Sequence, residues 1–360
     1  MQTITWQERA QGALMGAFIG DALALGPHWY YDLEELRKDY GDWISDYTDP
    51  KPGRYHEGSK AGQLSQSGYI LKLMIESLVA HGEYDHGDFC LHLEEKLFVY
   101  LDGTPYSGPG GYTSQSIRET WRKRELGRVS WEQTGGKADT TEAIERILAL
   151  AVRYARHPGD LVQNVVENTL LTQNDEMLVA MTVAYAAVLG RLVCGDPLDE
   201  NISRNLMEQV KNGELPFHAV TQGNLQPPKP GQPEKTGAGQ FSSPDALLTP
   251  SFIARAAKDP DISIEPAWKV SLLYGMPCAI YHILPASYYL AARFQDDFEA
   301  GILHAVNGGG QNQARAILTG ALCGAQVGIN NIPKRFIEGL EEGGRLMQLT
   351  AGLAEQSESE

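Results

Sequence analysis

Apolar residues recur at intervals of three and four along most of this chain, which is the spacing of helices that bury one face. The first predicted helix, at 7–25, is rich in alanine and glycine and stops at Gly26-Pro27. The second has Ser67 as its N-cap and runs through Ala80. The same pattern predicts helices at 88–101, 141–156, 159–171, 175–194, 202–212, 266–273, 279–292, 297–306, 315–328 and 333–354. No set of alternating strands accompanies them, so the sequence predicts an all-α protein.

Three segments rich in glycine, proline or both interrupt the helices, at 46–62, 106–113 and 223–250. The longest of them, 223–250, could join two domains or cover the surface of one. Because the predicted helices on both sides share the same small-residue character, we predict one domain over 1–355 with a loop at 223–250. Whether that loop gates a cleft stays open. The tail at 356–360 is predicted to be disordered.

Glycine recurs every fourth residue in two of the predicted helices, at 12, 16 and 20 and again at 320, 324 and 328. Small residues at helical spacing let two helix axes approach closely, because no side chain stands between them. The pattern therefore predicts a pair of tightly packed central helices.

The chain is acidic, with 30 Lys and Arg against 46 Asp and Glu and a net charge of −16. This excess disfavours nucleic acid and anionic membranes as partners, and is typical of a protein with a small-molecule ligand or none. The most apolar stretch, 177–194, reaches spanning length only by including Arg191, which indicates a buried helix. The N-terminus has no secretory pattern. We expect a cytoplasmic protein, either a monomer or a homodimer.

Four cysteines lie far apart, without a CxxC pair and with apolar neighbours. This arrangement is typical of buried free thiols in a reducing compartment.

A glycine-rich turn followed by three amide side chains, Gly308-Gly309-Gly310-Gln311-Asn312-Gln313, stands directly before the predicted helix at 315–328. Free backbone N–H groups and the helix dipole make such a turn suitable for polar or anionic ligands. It contains no carboxylate, so it is a poor site for a hard divalent cation.

Three stretches together resemble the ADP-ribosylglycohydrolase family: GALMGAFIGDAL from Gly12, GGGQNQARAILTGALCGAQVG from Gly308, and Asn330-Asn331-Ile332-Pro333. The resemblance extends from about Gln7 to Leu340. It implies an all-α, single-domain, orthogonal multi-helix bundle with a cleft at helix N-termini.

Active members of that family hold two magnesium ions between a Thr-Asp-Asp-Thr motif and an Asp-x-Asp-Thr or Asp-x-Asp-Ser motif. The matching positions here are Ser65-Gln66-Ser67-Gly68 and Gln311-Asn312-Gln313-Ala314, and His28 lies near the position of a usual glutamate. Every matched carboxylate is replaced. Since magnesium binds where carboxylates displace its water, we expect no magnesium, no other cofactor and loss of the two-metal hydrolysis.

Two further segments, GDALALGPHWYYD from Gly20 and DFEA from Asp297, resemble a branch of the family with depleted metal sites. That branch includes the J crystallins and selenoprotein J. This chain contains no selenocysteine that could carry redox chemistry.

The replaced motifs keep hydrogen-bond donors and acceptors, which favours a rebuilt binding cleft. The predicted ligand-binding residues are Ser65, Gln66, Ser67, Asn307, Gln311, Asn312, Gln313 and Arg315. The predicted ligand is small and polar, neutral or anionic, and nucleotide-like or sugar-like. The alternative is a self-satisfied amide network with ordinary helix caps.

Three side chains are candidates for metal-free acid–base chemistry, namely His28, Tyr30 and Asp139. A histidine such as His28 is more often packed against a hydrogen-bond partner without a catalytic role. For Asp139, which begins an acidic stretch ending at Glu142, helix capping is an adequate explanation.

Three functions stay open on sequence alone. The leading hypothesis is an ADP-ribosylglycohydrolase-like protein that binds a small polar ligand without the metal mechanism. One alternative is an active ADP-ribosyl hydrolase with atypical metal sites, and the other is a crystallin-like structural or scaffold protein.

Overall fold

The computed structural model of the chain describes residues 3–218, 230–231, 239–241 and 244–358. Within these ranges the regular structure is helical, and backbone bridges occur only as isolated pairs. This confirms the predicted all-α class. The α-helices are α1 Trp6–Leu25, α2 Leu33–Tyr40, α3 Gln66–His81, α4 His86–Lys96, α5 Gln115–Trp121, α6 Glu142–Arg146, α7 Leu148–Arg153, α8 Pro158–Leu170, α9 Glu176–Val193, α10 Ile202–Lys211, α11 Asp245–Lys258, α12 Val270–Tyr274, α13 Ile280–Arg293, α14 Phe298–Val306, α15 Asn312–Val327, α16 Lys334–Glu338 and α17 Gly343–Glu358.

Helices α1 and α15 form the centre of the molecule and run antiparallel. A Cβ atom built on Gly16 would lie 2.1 Å from the backbone oxygen of Gly320, and one on Gly12 would lie 2.3 Å from that of Gly324. The two backbones therefore touch directly, as the glycine spacing predicts. One hydrophobic core surrounds this pair and includes residues from α1 through α17.

Several predicted boundaries are wrong for identifiable reasons. The helix predicted at 141–156 is divided at Ile147 into α6 and α7, and the one at 333–354 is divided between Glu338 and Gly343. Helix α2 was missed because it is charged and buries only Leu36. Helix α11 was missed because it contains Pro250, the end of the predicted loop. The remainder of that loop, and so its gating role, lies largely outside the described residues.

The C-terminal tail is helical at least through Glu358, because α17 buries Leu353, Ala354 and Ser357 against the core. Disorder at 356–358 is therefore a wrong prediction, while 359–360 lie outside the described residues.

Helix α9 contains the most apolar stretch of the chain. It is the one described helix with the length and hydropathy of a membrane span, and 72% of its 18-residue window is buried within the protein. All four cysteines are free thiols. Cys90 and Cys323 are buried and Cys278 is partly so, but Cys194 is exposed, which corrects the prediction for that residue.

Candidate functional site

The site begins where α1 meets the first turn of α3. Asp21 of α1 accepts a hydrogen bond from the backbone N–H of Ser65 at 2.8 Å and another from the Ser65 hydroxyl. Ser65 in turn accepts from the N–H of Ser67 at 3.0 Å, so Ser65 rather than Ser67 is the N-cap of α3. The buried Asp21 carboxylate thus anchors the segment that carries Ser65, Gln66 and Ser67.

The glycine-rich turn brings the second amide segment to the same place. Gly310 donates to the backbone oxygen of Tyr30 at 2.7 Å and Gln311 donates to that of Met276 at 2.9 Å. Gly309 and Gly310 have φ angles of 64° and 59°, and a Cβ on Gly310 would lie 2.5 Å from the Met276 oxygen. Only glycine fits this left-handed, crowded backbone.

Between these segments lies a cleft of about 220 Å³. It is smaller than the ~300–1,000 Å³ of sites for drug-sized ligands. Five of the predicted ligand-binding residues line it, namely Ser65, Gln66, Ser67, Gln311 and Gln313. The lining also includes residues that the sequence prediction did not assign to the site: Trp29, His56, Tyr112, Arg118, Glu142, Glu145 and Cys278.

The side chains of the other three predicted ligand-binding residues form hydrogen bonds with backbone groups instead. Asn307 exchanges two hydrogen bonds of 2.8 Å with the backbone of Ile44, and Asn312 donates to the oxygen of Pro27 at 3.1 Å. Arg315 is fully buried and donates to the backbone oxygen of Ala305 at 3.0 Å, and burial lowers its pKa to about 9. None of the three is among the residues that line the cleft.

Of the three predicted acid–base residues, His28 alone lines the cleft. The Tyr30 hydroxyl donates to Asp39 at 2.6 Å, and burial raises its pKa far above the ordinary tyrosine value. Asp139 lies in a separate surface depression, where it accepts a hydrogen bond of 3.2 Å from Tyr281.

His28 belongs to a buried pair of imidazoles. Its Nδ1 lies 2.6 Å from Nε2 of His56, its Nε2 meets the Gln311 amide, and Nδ1 of His56 meets the backbone oxygen of Gly110. If the Gln311 oxygen faces His28, each of these three contacts needs a proton on one of the imidazole rings. Two neutral imidazoles together carry only two ring protons, so this orientation leaves one contact without a proton.

The protonation of the pair follows from its burial. Burial lowers the pKa of His56 to about 4, and burial together with His56 holds the pKa of His28 well below its ordinary value. We therefore assign a neutral pair, in which the Gln311 amide is turned over so that its N–H₂ donates to His28.

The neutral imidazoles predict a specific loss of stability in acid. Between about pH 6.5 and pH 4 the unfolded chain takes up a proton on His56 but the native state does not, so the free energy of unfolding falls as pH falls. From the pKa difference the loss is about 3 kcal/mol, at 1.36 kcal/mol per pKa unit. Urea unfolding of wild type and His56→Gln across this range measures it. Parallel pH profiles for the two proteins would contradict the assignment.

Glu142 and Glu145 place two carboxyl groups on the wall of the cleft. No side chain caps the N-terminus of α6, which begins at Glu142. The Thr140 hydroxyl donates to Glu142 instead, and the Thr141 hydroxyl donates to Glu145 at 2.6 Å. Burial and the charge of Glu142 raise the pKa of Glu145 to about 7, and burial raises that of Glu142. The three-residue spacing, which puts both on one helix face, is the signal that could have found them.

These donors do not suit a magnesium pair. In the described parts of the chain, no group of three or more His, Cys, Asp or Glu side chains is placed to hold a metal ion. The cleft has two carboxyl groups, Glu142 and Glu145, and neither lies in the two segments that match the metal motifs of the family. Magnesium needs ionised oxygen ligands, and the remaining lining amides and hydroxyls are neutral.

An aromatic wall closes one side of the cleft. Trp29 has a φ angle of 64°, a left-handed conformation that is a genuine outlier for a bulky residue. Its ring packs edge-on against Tyr55 and Tyr112, with centroids 4.5 and 4.7 Å away, and stacks on His28. Such strain persists only where surrounding packing fixes it, as these three rings do here.

The fold and this site define an all-helical protein with a buried polar cleft at helix N-termini. The sequence profile of the family described as ADP-ribosylglycohydrolase matches residues 2–360, and the chain therefore belongs to that family. The resemblance inferred from the motifs is confirmed.

Individual relatives span the same length at low identity. An uncharacterised protein of Archaeoglobus fulgidus is 24% identical over 354 residues, and crystallin J1A of Tripedalia cystophora is 20% identical over 367 residues. Both alignments cover 97% of this chain and 97% of the relative. A solved structure described as an ADP-ribosylglycohydrolase-related protein complex is similar with a TM-score of 0.61 and 18% identity, covering 98% of this chain and 99% of that one. This likeness shows the shared fold.

Proposed function

We propose that this protein binds a small polar, sugar-sized ligand in the cleft without the two-metal mechanism of its family. One observation carries the proposal. Gln66, Gln311 and Gln313 are 5%, 8% and 5% exposed, and each uses one amide atom on the protein while the other amide atom has no protein partner within the described residues. None of these three free atoms is among the fully buried unpartnered atoms of the described residues, so they face the cleft and are available to hydrogen-bond a ligand in place of water.

The volume of the cleft limits the size of the ligand that it can enclose. A volume of about 220 Å³ encloses a body the size of one sugar ring, whereas a whole nucleotide would project into solvent. The polar walls and the aromatic side with Trp29 and Tyr112 suit a ring that has both hydroxyl edges and apolar faces.

Acid–base chemistry in this cleft is better supplied by Glu145 than by His28. Both ring nitrogens of His28 are engaged by His56 and Gln311, so neither is free to exchange a proton with a ligand. The Glu145 carboxyl has its pKa raised to about 7, where it can donate or accept a proton near neutrality. The matched carboxylates of the metal motifs are absent, so we infer that magnesium-dependent ADP-ribosyl hydrolysis is lost.

Thermal-shift measurements with monosaccharides, ribose 5-phosphate and ADP-ribose test the proposal. A ligand at 100 times its Kd adds about 2.7 kcal/mol to stability, and we expect a saturable rise in Tm that is the same with magnesium or a chelator. Gln313→Ala should abolish the rise. Gln133→Ala, at an exposed glutamine outside the cleft, should keep it.

Two other outcomes of these measurements would support a different function. Similarity to crystallin J1A favours a structural role as the second candidate, and that role predicts no saturable shift with any of these compounds and no effect of Gln313→Ala. Membership of a glycohydrolase family keeps hydrolysis as a rival, which release of ADP-ribose from a modified protein on addition of magnesium would support.

A further inference from the structure

The orientation of the Gln66 amide is fixed by its neighbours. The Thr113 hydroxyl gives its single proton to the backbone oxygen of Ser107, so towards Gln66 it can only accept. Gln66 therefore donates through Nε2, at 3.0 Å, and its oxygen is the atom left for a ligand.

The other two amides of the cleft present oxygen in the same way. Gln313 turns Nε2 towards the backbone oxygen of Asp21 in a long contact of 3.5 Å, and a carbonyl can only accept, so this contact favours the same orientation. Gln311 must donate to the neutral His28, as the count of ring protons requires, so its oxygen is also free. All three glutamines therefore offer acceptors to the cleft.

The charged side chains of the cleft also favour a ligand that donates hydrogen bonds. Glu142 accepts from Thr140 and also interacts with the Ser116 hydroxyl, and Glu145 accepts from Thr141 and also interacts with the Ser67 hydroxyl. An ionised carboxylate has about four lone-pair sites, so each keeps acceptor capacity for a ligand. Arg118 is the one Lys or Arg among the described lining residues, and it gives Nη1 to the backbone oxygen of Thr113. With the histidines neutral, the formal charge of the lining is −2 + 1 = −1 when both carboxyls are ionised.

From this arrangement we propose that the ligand is a small organic cation rich in hydrogen-bond donors, such as a sugar-sized polyol that carries a protonated primary amine. The ammonium group lies between Glu142 and Glu145, and the hydroxyls donate to the glutamine oxygens. The rings of Trp29 and Tyr112, which line the same cleft, suit a cation as well. This inference rests on the proposed function and replaces the neutral or anionic ligand that the sequence suggested.

Binding of such a cation has a proton signature. The carboxyl of Glu145 has its pKa raised to about 7, and a positive charge beside it favours the ionised form, so binding near neutral pH releases protons. The other charged or titratable groups that surround the carboxyl pair are Asp21, Tyr112, Arg118, Arg146 and Cys278.

Titration calorimetry with D-glucosamine, D-glucose and D-glucuronate tests the ligand class with three probes of equal size. We expect glucosamine to bind at least tenfold more tightly than glucose, and glucuronate to bind more weakly still. Glu142→Gln should weaken glucosamine about tenfold and leave glucose unchanged. Glu145→Gln should remove the proton release, seen as a dependence of the binding heat on buffer ionisation. Glu95→Gln, at an exposed glutamate outside the cleft, is the control.

The outcomes separate the two proposals. If glucose or glucuronate binds as tightly as glucosamine, the cationic ligand class is wrong while the sugar-sized site stands. If glucosamine binds but Glu142→Gln and Glu145→Gln leave it unaffected, the carboxyl pair is not the anchor and the inference fails. If none of the three probes binds, the cationic ligand class is wrong, and the thermal-shift measurements with ribose 5-phosphate and ADP-ribose decide the sugar-sized site separately.

Discussion

Gly16→Ala is expected to destabilise the protein by about 3 kcal/mol or more. The added methyl group would lie 2.1 Å from the Gly320 backbone oxygen and 2.7 Å from its carbonyl carbon. A backbone group in the middle of a helix cannot turn aside as a flexible side chain can, so α1 and α15 must separate. Overpacking of a dense core costs about 1–3 kcal/mol, and this clash with backbone lies at or beyond the upper end.

Urea unfolding measures the effect, as a lower midpoint with an unchanged slope. Gly352→Ala is the matched control, because Gly352 lies inside α17 and the nearest atom to an added Cβ is a Val79 methyl at 3.9 Å. Removal of a glycine from a helix interior there should stabilise the protein by about 0.5–1 kcal/mol. A Gly16→Ala protein as stable as wild type would show that the close contact between α1 and α15 is not rigid.

Asp21→Ala is expected to cost about 3 kcal/mol and to abolish ligand binding. The substitution leaves the backbone N–H and the hydroxyl of Ser65 without their acceptor, and Ser65 is 1% exposed. Each buried donor left unsatisfied costs about 1–3 kcal/mol. The first turn of α3 would then move, and Gln66 with it. Urea unfolding and the thermal-shift assay measure the two effects.

Asp85→Ala and the pH dependence of stability test whether burial of Asp21 matters. Asp85→Ala removes an exposed cap of α4 and should cost only about 1 kcal/mol, so equal losses would mean that burial of Asp21 adds nothing. Burial raises the pKa of Asp21 to about 6, so between about pH 4 and pH 6 the native state binds more protons than the unfolded chain. The stability of wild type relative to Asp21→Asn should therefore fall as pH rises through that range.

Helical periodicity and glycine spacing were enough to predict the helical class and the central pair, because both are local patterns with a direct steric meaning. The gathering of Gln66, Gln311 and Gln313 in one cleft also follows the motif resemblance, although the segments are far apart in the chain. The sequence could not show that Asn312 and Arg315 face away from the cleft, because it does not determine how α15 is rotated about its axis.

Other parts of the site had no local signal. His56 lies in an irregular segment whose path is set by distant contacts with His28 and Gly110. The left-handed backbone of Trp29 stands between His28, which lines the cleft, and Tyr30, which does not. A positive φ at tryptophan is too rare to be expected from sequence.

The central position of the first helix has a consequence for biosynthesis. Residues 6–25 leave the ribosome before their partner at 312–327, which follows nearly 300 residues later. At a translation rate of about 5–20 residues per second, the interval is roughly 15–60 s. During that time the surface of α1 that packs against α15 lacks its native cover, and exposed apolar surface of this kind favours aggregation of nascent chains.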